Sequence, residues 1–510
     1  MYRRTRVLAL SAALCLLLCV LSGCDTTPPE ESEVSLPEIS VEESTDIEEA
    51  TLSVSYNADD TLSPFATVSR ANLELASLLY EGLTRVDNTL TAQPALAASV
   101  ERVEKTVTAV LRKDARFSDG SAVTASDVVR SFSLAKNSAN YRVLLQNIRS
   151  ASANKEGTAV TFVLESADIG YAACLSFPVI KASTATKEEG KAPVGSGLYR
   201  LADANTLTVN PYAGQTPQVQ TVELISVSDS NALVHALENG TIGYLFTDLY
   251  GGTLPYTTAA NTTVDIHYLI FLGINANRDA LSDKQVRQAL SLAVNRELLA
   301  TEGCSGYARA ATAPFHPLWA GLKEEGLTLF KTTADPNAAK QRLSAAGYAT
   351  GLETDKKGGK ALSLTLLVNA DNPFRTTSAA LLQIQCAAAG ITLKVEEKPY
   401  DEYLKQIEKG SFDLYLGEVR LPADGSLRSF FKKGGGTSYG IKTAGTCATA
   451  YTSYLAGDVT LAQFLKTFGQ ELPFIPLNWQ KGMAAFKRSY QNITPGVLDP
   501  YYGLGSWDIN

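Results

Sequence analysis

The sequence predicts an α/β protein of two lobes, the first interrupted by a smaller α+β insertion. Three observations carry this. Between residues 362 and 419, three β-type runs alternate with two helical runs, the β-α-β-α-β order of a doubly wound sheet. Between 222 and 246 a strand, a helix and a strand follow one another, a second such unit. Residues 66–189 break the pattern, with short alternating strands around one capped helix.

Along the chain, TLSVSY (51–56) alternates as a strand, and a turn and helix follow from ADDTLSPF into ASLLYEGL. TVTAVLR (106–112) and TAVTFVL (158–164) are strands of the insertion. Between them, after the FSDG turn, Thr124 with Asp127 three residues on opens a helix through Phe132 as a capping box. VELISV (222–227) leads into DSNALVHALENG, a helix closed by Gly240, and then IGYLF (242–246), predicting a parallel strand pair. One helix is expected over 283–299, with Val286, Ala289, Leu290, Ala293, Val294 and Leu298 on one face. A second begins at Asp335, with Pro336 in its first turn, and stops at Gly347. The last series runs through LSLTLLV (362–368), a helix to Ala389 ended by Gly390, ITLKVEEK (391–398), a helix over 400–409 and FDLYLGEV (412–419).

The N-terminus carries its own signal. Arg3, Arg4 and Arg6 precede an uncharged apolar run from Val7 to Leu21, too short to span a bilayer, and LSGC follows at 21–24. This string matches a bacterial lipoprotein signal, so cleavage before Cys24 and a lipid on its thiol are expected. Residues 25–50 hold ten Asp or Glu and no Lys or Arg, a segment that cannot bury enough apolar surface to order itself and is expected to act as a tether. The formal net charge of −8 falls almost wholly on this tether, leaving a nearly neutral body without a basic stripe, which excludes nucleic acid as a partner. A monomer is expected. Of seven cysteines, Cys174, Cys304, Cys386 and Cys447 lie within the body. They allow three pairings that sequence cannot choose among; free, buried thiols are the expectation for a body this large.

Catalytic patterns are missing. The three histidines, His235, His267 and His316, are not at metal-ligand spacing, and no nucleophile elbow or phosphate-cradling glycine loop occurs. Glu396 and Glu397 point to opposite faces of a strand. No enzyme activity, cofactor or metal is expected, and a ligand-binding protein is. Ligands of open α/β sheets sit beyond the carboxyl ends of strands, which places RLPADG (420–425), with Arg420 and Asp424, at a cleft between the lobes. DTLSPF (60–65) follows the first strand toward the same cleft and makes Ser63 and Phe65 candidates. Trp479, in LPFIPLNW, and Trp507 are expected to pack rather than to bind.

Read in order, DTLSPF, YEGLTRVD (80–87), QPALAASV (93–100), LRKDARFSDGSAVTASDVVRSF (111–132), PVGSGLYRL (193–201), LGINANRDALSDKQVRQALSLAVNRELL (272–299), DPNAAKQRLSAAGY (335–348) and FDLYLGEV resemble the extracellular solute-binding proteins of family 5, the peptide and nickel class of ABC-importer receptors. The resemblance implies a two-lobed periplasmic-binding-protein-like fold of type II with an inserted α+β subdomain. The boundaries would be a signal at 1–23, a tether at 24–50, a discontinuous lobe from 51–65, 190–268 and 480–510, an insertion at 66–189 and a third part at 269–479. It also implies that a short peptide is captured by lobe closure, that Asp424 pairs with the peptide's terminal amine, and that the protein serves an ABC permease from the outer face of the cytoplasmic membrane. The Trp that family members carry shortly before this Asp is absent, with Val419 and Arg420 standing there. Receptors for a metal chelate, an opine or a sugar derivative, and a peptide sensor or chaperone uncoupled from transport, are the alternatives.

Overall fold

A computed structural model describes residues 50–509, apart from 228, 230, 231, 353, 354 and 356–358. The leader, Cys24 and nearly all of the tether lie outside the described residues. Most of the chain is organised by one 11-stranded sheet. At its centre two long strands, Ala260–Ile274 and Phe474–Phe486, run antiparallel. Nearly every residue of Phe474–Phe486 is buried, as expected of a strand covered on both faces. Leu414–Arg420, Leu362–Asn369 and Ile391–Lys398 extend the sheet on one side, and the last three run parallel to one another. On the other side come Tyr244–Thr247, Thr51–Tyr56, Thr221–Ser226, Thr206–Val209 and Tyr199–Leu201. A separate four-stranded antiparallel sheet, Ala97–Val103, Thr106–Leu111, Ala159–Leu164 and Ile148–Ala153, packs on the helix Ala125–Asn137.

Local chemistry explains most element ends. The Thr124 side chain accepts from the Asp127 amide while Asp127 accepts from the Thr124 amide, closing the capping box. Asp335 caps the helix Pro336–Ala345 through the Ala338 amide, and Gly347 takes the positive φ that ends it. In the edge strand Ile391–Lys398, Ile391 and Leu393 face the core while Thr392 and Lys394 face solvent.

Two expectations are corrected. The parallel strands Thr221–Ser226 and Tyr244–Thr247 are not neighbours, because Thr51–Tyr56 lies between them and pairs with both. The helix expected over 283–299 stops at Ala293. Val294 is extended, Asn295 caps a short helix Arg296–Leu298 by accepting from the Leu298 amide, and a π-helical turn, Leu299–Gly303, follows. The Asn side chain offers the backbone an alternative to continued helix. The break also turns Arg296 into the core, where it donates to the Pro476 carbonyl at 2.8 Å and to Ser291 Oγ at 2.9 Å. Burial pushes that guanidinium down to about 9. Apolar spacing runs through the break unchanged, so the pattern gave no warning.

Four clusters of buried apolar side chains hold these elements. Two cover opposite faces of the Leu362–Arg420 strands, one built on Leu290, Leu343 and Leu382, the other on Phe271, Phe430 and Phe464. A third centres on Val54, Tyr244 and Trp507, and the fourth fills the four-stranded layer around Phe117, Phe132 and Phe162. All four body cysteines are free and buried.

Candidate functional site

Beyond the carboxyl end of the Leu414–Arg420 strand the chain turns sharply. The Gly425 amide donates to the Pro422 carbonyl at 2.9 Å, and Gly425 takes a φ of 64°. The turn presents Asp424 to a cavity of about 300 Å³ that opens between this loop, residues 90–92 and 168–173 of the insertion, and residues 315–319. Asp424 Oδ1 accepts from the Ser426 amide at 3.1 Å, and its Oδ2 faces the Cys174 thiol at 3.6 Å. Beside them Asp168, almost wholly buried, is saturated: it accepts from the Gly170 amide at 2.9 Å, from Asn147 Nδ2 at 3.2 Å and from the Arg428 guanidinium.

The electrostatic result is asymmetric. Burial, then the neighbouring Asp168 charge, push the Asp424 carboxyl up to about 7, with Arg428 only partly offsetting them. Burial and the two carboxylates likewise push the Cys174 thiol up, so it stays protonated and donates. Ligand atoms of Asp168, Cys174 and Asp424 converge as they would on a metal ion, yet Arg428 already supplies the cation at Asp168. The group left wanting a positive partner is Asp424.

A charge that is costly while the cavity holds no cation makes a prediction. The folded-state value lies above the unfolded value of about 4, so Asp424 contributes stability at low pH that is lost as pH rises through 7. Asp424→Asn should therefore stabilise the ligand-free protein by about 1–3 kcal/mol at pH 8 in urea denaturation, allowing for the partial exposure of the side chain. The gain should fall away as pH is lowered toward 4. An equal gain at both pH values would show that the charge is not the cause.

Arg420 sits elsewhere. Its guanidinium pairs with Asp248 at 2.6 Å and lies 5.8 Å from the Tyr268 ring centre. It lines a second cavity of about 300 Å³ walled by Tyr250, Tyr268, Tyr400, Tyr403 and Tyr415. Beside this cavity Arg375, 1 % exposed, grips Glu418 at 2.7 Å through Nε and Gln480 Oε1 at 2.7 Å. Gln480 in turn donates to the carbonyls of Asp248 and Leu249, both at 2.9 Å. The network joins the Leu414–Arg420 strand, a long central strand and the backbone at residues 248–249, just after Tyr244–Thr247.

The loop and its two charged residues are thus divided between two cavities. Ser63 is buried with its amide donating to Thr61 Oγ1 at 3.0 Å, and Phe65 packs edge-on against Tyr141 at 5.7 Å; neither lines a cavity described above. Trp479 and Trp507 are fully buried. Sequence reasoning missed Asp168, Cys174 and Arg428, and with them His267 and His316, which line the Asp424 cavity. These residues lie up to 260 positions apart, and no local pattern links them.

Comparison with known proteins bears on the fold and the family. The profile of bacterial extracellular solute-binding proteins, family 5 Middle, matches residues 91–438. The oligopeptide-binding protein AppA of Bacillus subtilis is 26% identical over 451 residues, covering 81% of this chain and 80% of AppA. An ABC transporter substrate-binding protein from Sinorhizobium meliloti superposes with a TM-score of 0.70 at 21% identity, covering 89% of this chain and 99% of that one. NikA from Brucella suis, solved with Fe(III)-EDTA, gives 0.66 at 20% identity over 90% and 99%. AppA and the Sinorhizobium meliloti protein are named as binding proteins, and the chain belongs to the bacterial extracellular solute-binding proteins, family 5, a family of substrate-binding proteins rather than enzymes.

Proposed function

We propose that this protein is the lipid-anchored substrate receptor of an ABC importer, and that it captures short peptides outside the cytoplasmic membrane with the terminal amine on Asp424. The observation that carries the reading is the Asp424 carboxylate. It lines a cavity between separate parts of the fold, its anion is raised in energy by burial, and it lacks a cationic partner of its own, so a ligand ammonium would supply one. The AppA likeness supports the peptide class.

The experiment is mass spectrometry of what the native protein retains from an equimolar pool of free-amine tripeptides. Retention of free-amine peptides and rejection of the N-acetylated pool is the expected result; equal retention of both pools overturns the assignment of Asp424. A metal-chelate receptor is the second reading, favoured by the fold shared with NikA, and retention of a metal chelate instead of peptide would select it.

Capture involves closure of the cleft about the two long central strands, the elements common to both halves of the main sheet. Small-angle scattering should show the radius of gyration falling when a retained tripeptide is added; binding without that fall would dismiss closure. The LSGC string supports the anchor, and Cys24→Ser should move the protein from the membrane fraction to the soluble one. Unchanged fractionation would reject it.

A further inference from the structure

The second cavity, beside Arg420, shares no lining residue with the Asp424 cavity, although His267 of one and Tyr268 of the other are consecutive on a central strand. Four elements bring aromatic rings to it. Tyr268 and Phe271 come from Ala260–Ile274, Tyr415 from Leu414–Arg420, Tyr400 and Tyr403 from the helix Tyr400–Glu408, and Tyr250 from the loop after Tyr244–Thr247. Strand register places Tyr268 opposite Arg420 and Phe271 opposite Gly417. Gly417 makes that arrangement possible. A Cβ there would stand 2.5 Å from the Phe271 ring and 2.7 Å from the Tyr415 ring, so glycine lets both rings close in on the middle of the strand.

The rings cross rather than lie flat. Tyr250 and Tyr268 have centres 5.9 Å apart at 87°, and Phe271 and Tyr415 have centres 5.7 Å apart at 80°. The walls therefore present ring edges as well as ring faces, the two partners an inserted aromatic ring seeks. Tyr250 and Tyr400 stay 49 % and 38 % exposed, two large rings left in water beside one recess.

The polar groups of this cavity are already committed. Asp248 holds Arg420 at 2.6 Å, Glu418 holds Arg375 at 2.7 Å, and the Tyr403 hydroxyl donates to the Leu416 carbonyl at 2.8 Å. A cation would meet the Arg420 guanidinium, which already lies 5.8 Å from the Tyr268 ring centre. An anion would meet two carboxylates. A sugar, with a hydroxyl on almost every carbon, would find both carboxylates engaged. An uncharged aromatic ring needs none of these groups, and the volume of about 300 Å³ is ample for one, since a dry cavity of ~150 Å³ takes benzene.

We propose that this second cavity is a binding site for an uncharged aromatic ring, with Tyr250, Tyr268 and Tyr400 as the residues that select it. The ring belongs either to a side chain of a captured peptide or to a separate small molecule. The site goes beyond the terminal-amine reading and does not depend on it.

The test uses 4-fluorophenol as the probe, observed by fluorine NMR with the whole protein. It should bind, and 4-methylphenol should displace it at a concentration about 2–12-fold lower than 4-methylcyclohexanol, the advantage an aromatic pairing gives over equal apolar area. Tyr250→Ala and Tyr400→Ala should each weaken the probe by a similar factor. Both rings are partly exposed and lie outside the buried clusters, so the fold survives their removal. Equal displacement by the saturated alcohol, displacement by methyl glucoside instead, or unchanged binding in both variants overturns the proposal. A retained tripeptide containing Phe and its Leu counterpart then separate the sources. Displacement of the probe by the Phe peptide alone places the ring on the peptide, whereas a probe that stays bound beside both peptides assigns the site to a separate aromatic molecule. The probe measurement needs no peptide, so its failure leaves the Asp424 reading standing, and failure of that reading leaves this site standing.

Discussion

Asp424→Asn is expected to weaken capture of a free-amine tripeptide by about 2–4 kcal/mol, roughly 30- to 1,000-fold. The carboxylate is nearly isosteric with the amide, so the cavity keeps its shape and only the charge is removed. An ammonium entering the variant would be taken from water and given no counter-charge, because Asp168 is already committed to Arg428 and two amide donors. The same substitution should stabilise the ligand-free protein, so lost binding cannot be ascribed to a damaged fold. N-acetylating the peptide should cost wild type heavily and the variant little, and calorimetry on the four combinations isolates the pairing energy. A coupling near zero would leave Asp424 as an ordinary loop carboxylate.

Arg375→Met is expected to cost about 3–5 kcal/mol of stability, the loss typical when one member of a buried pair is removed. Methionine fills much of the stem's volume but leaves Glu418 facing a desolvated wall without its cation, and leaves Gln480 Oε1 without a donor. The Gln480 amide that holds the carbonyls of Asp248 and Leu249 loses its orientation as a consequence. Adding Glu418→Gln should recover more than half of the loss, because the uncompensated charge is then gone. Denaturant midpoints of the two variants decide the matter. A single-variant cost below about 1 kcal/mol would show that water reaches Glu418 and replaces the guanidinium.

How far the sequence announced this molecule depended on the range of the interaction. The strands and helices from 362 to 420 were legible because alternation, helical spacing and stop glycines such as Gly390 act within a few residues. So were the caps at Thr124 and Asp335. The break at Val294 was hidden because what stabilises it, Arg296 reaching Pro476, lies 180 residues away. The insertion of Thr51–Tyr56 between two later strands was hidden for a similar reason, since pairing partners are chosen by the whole sheet. For the candidate site, the position of Asp424 beyond a strand end was readable. Its separation from Arg420 into another cavity, and the approach of Asp168, Cys174, His267 and His316, depended on contacts no spacing records.

The four buried thiols have a use of their own. Cys174 lies in the four-stranded layer, Cys304 and Cys386 in one cluster beside the main sheet, and Cys447 in the cluster on its other face. A thiol reagent reaches such a group only when its surroundings open, so the rate at which each cysteine is alkylated under native conditions clocks the opening of its own region. The chain therefore carries intrinsic chemical probes for the order in which its parts come undone, three regions reporting separately and without any engineered label.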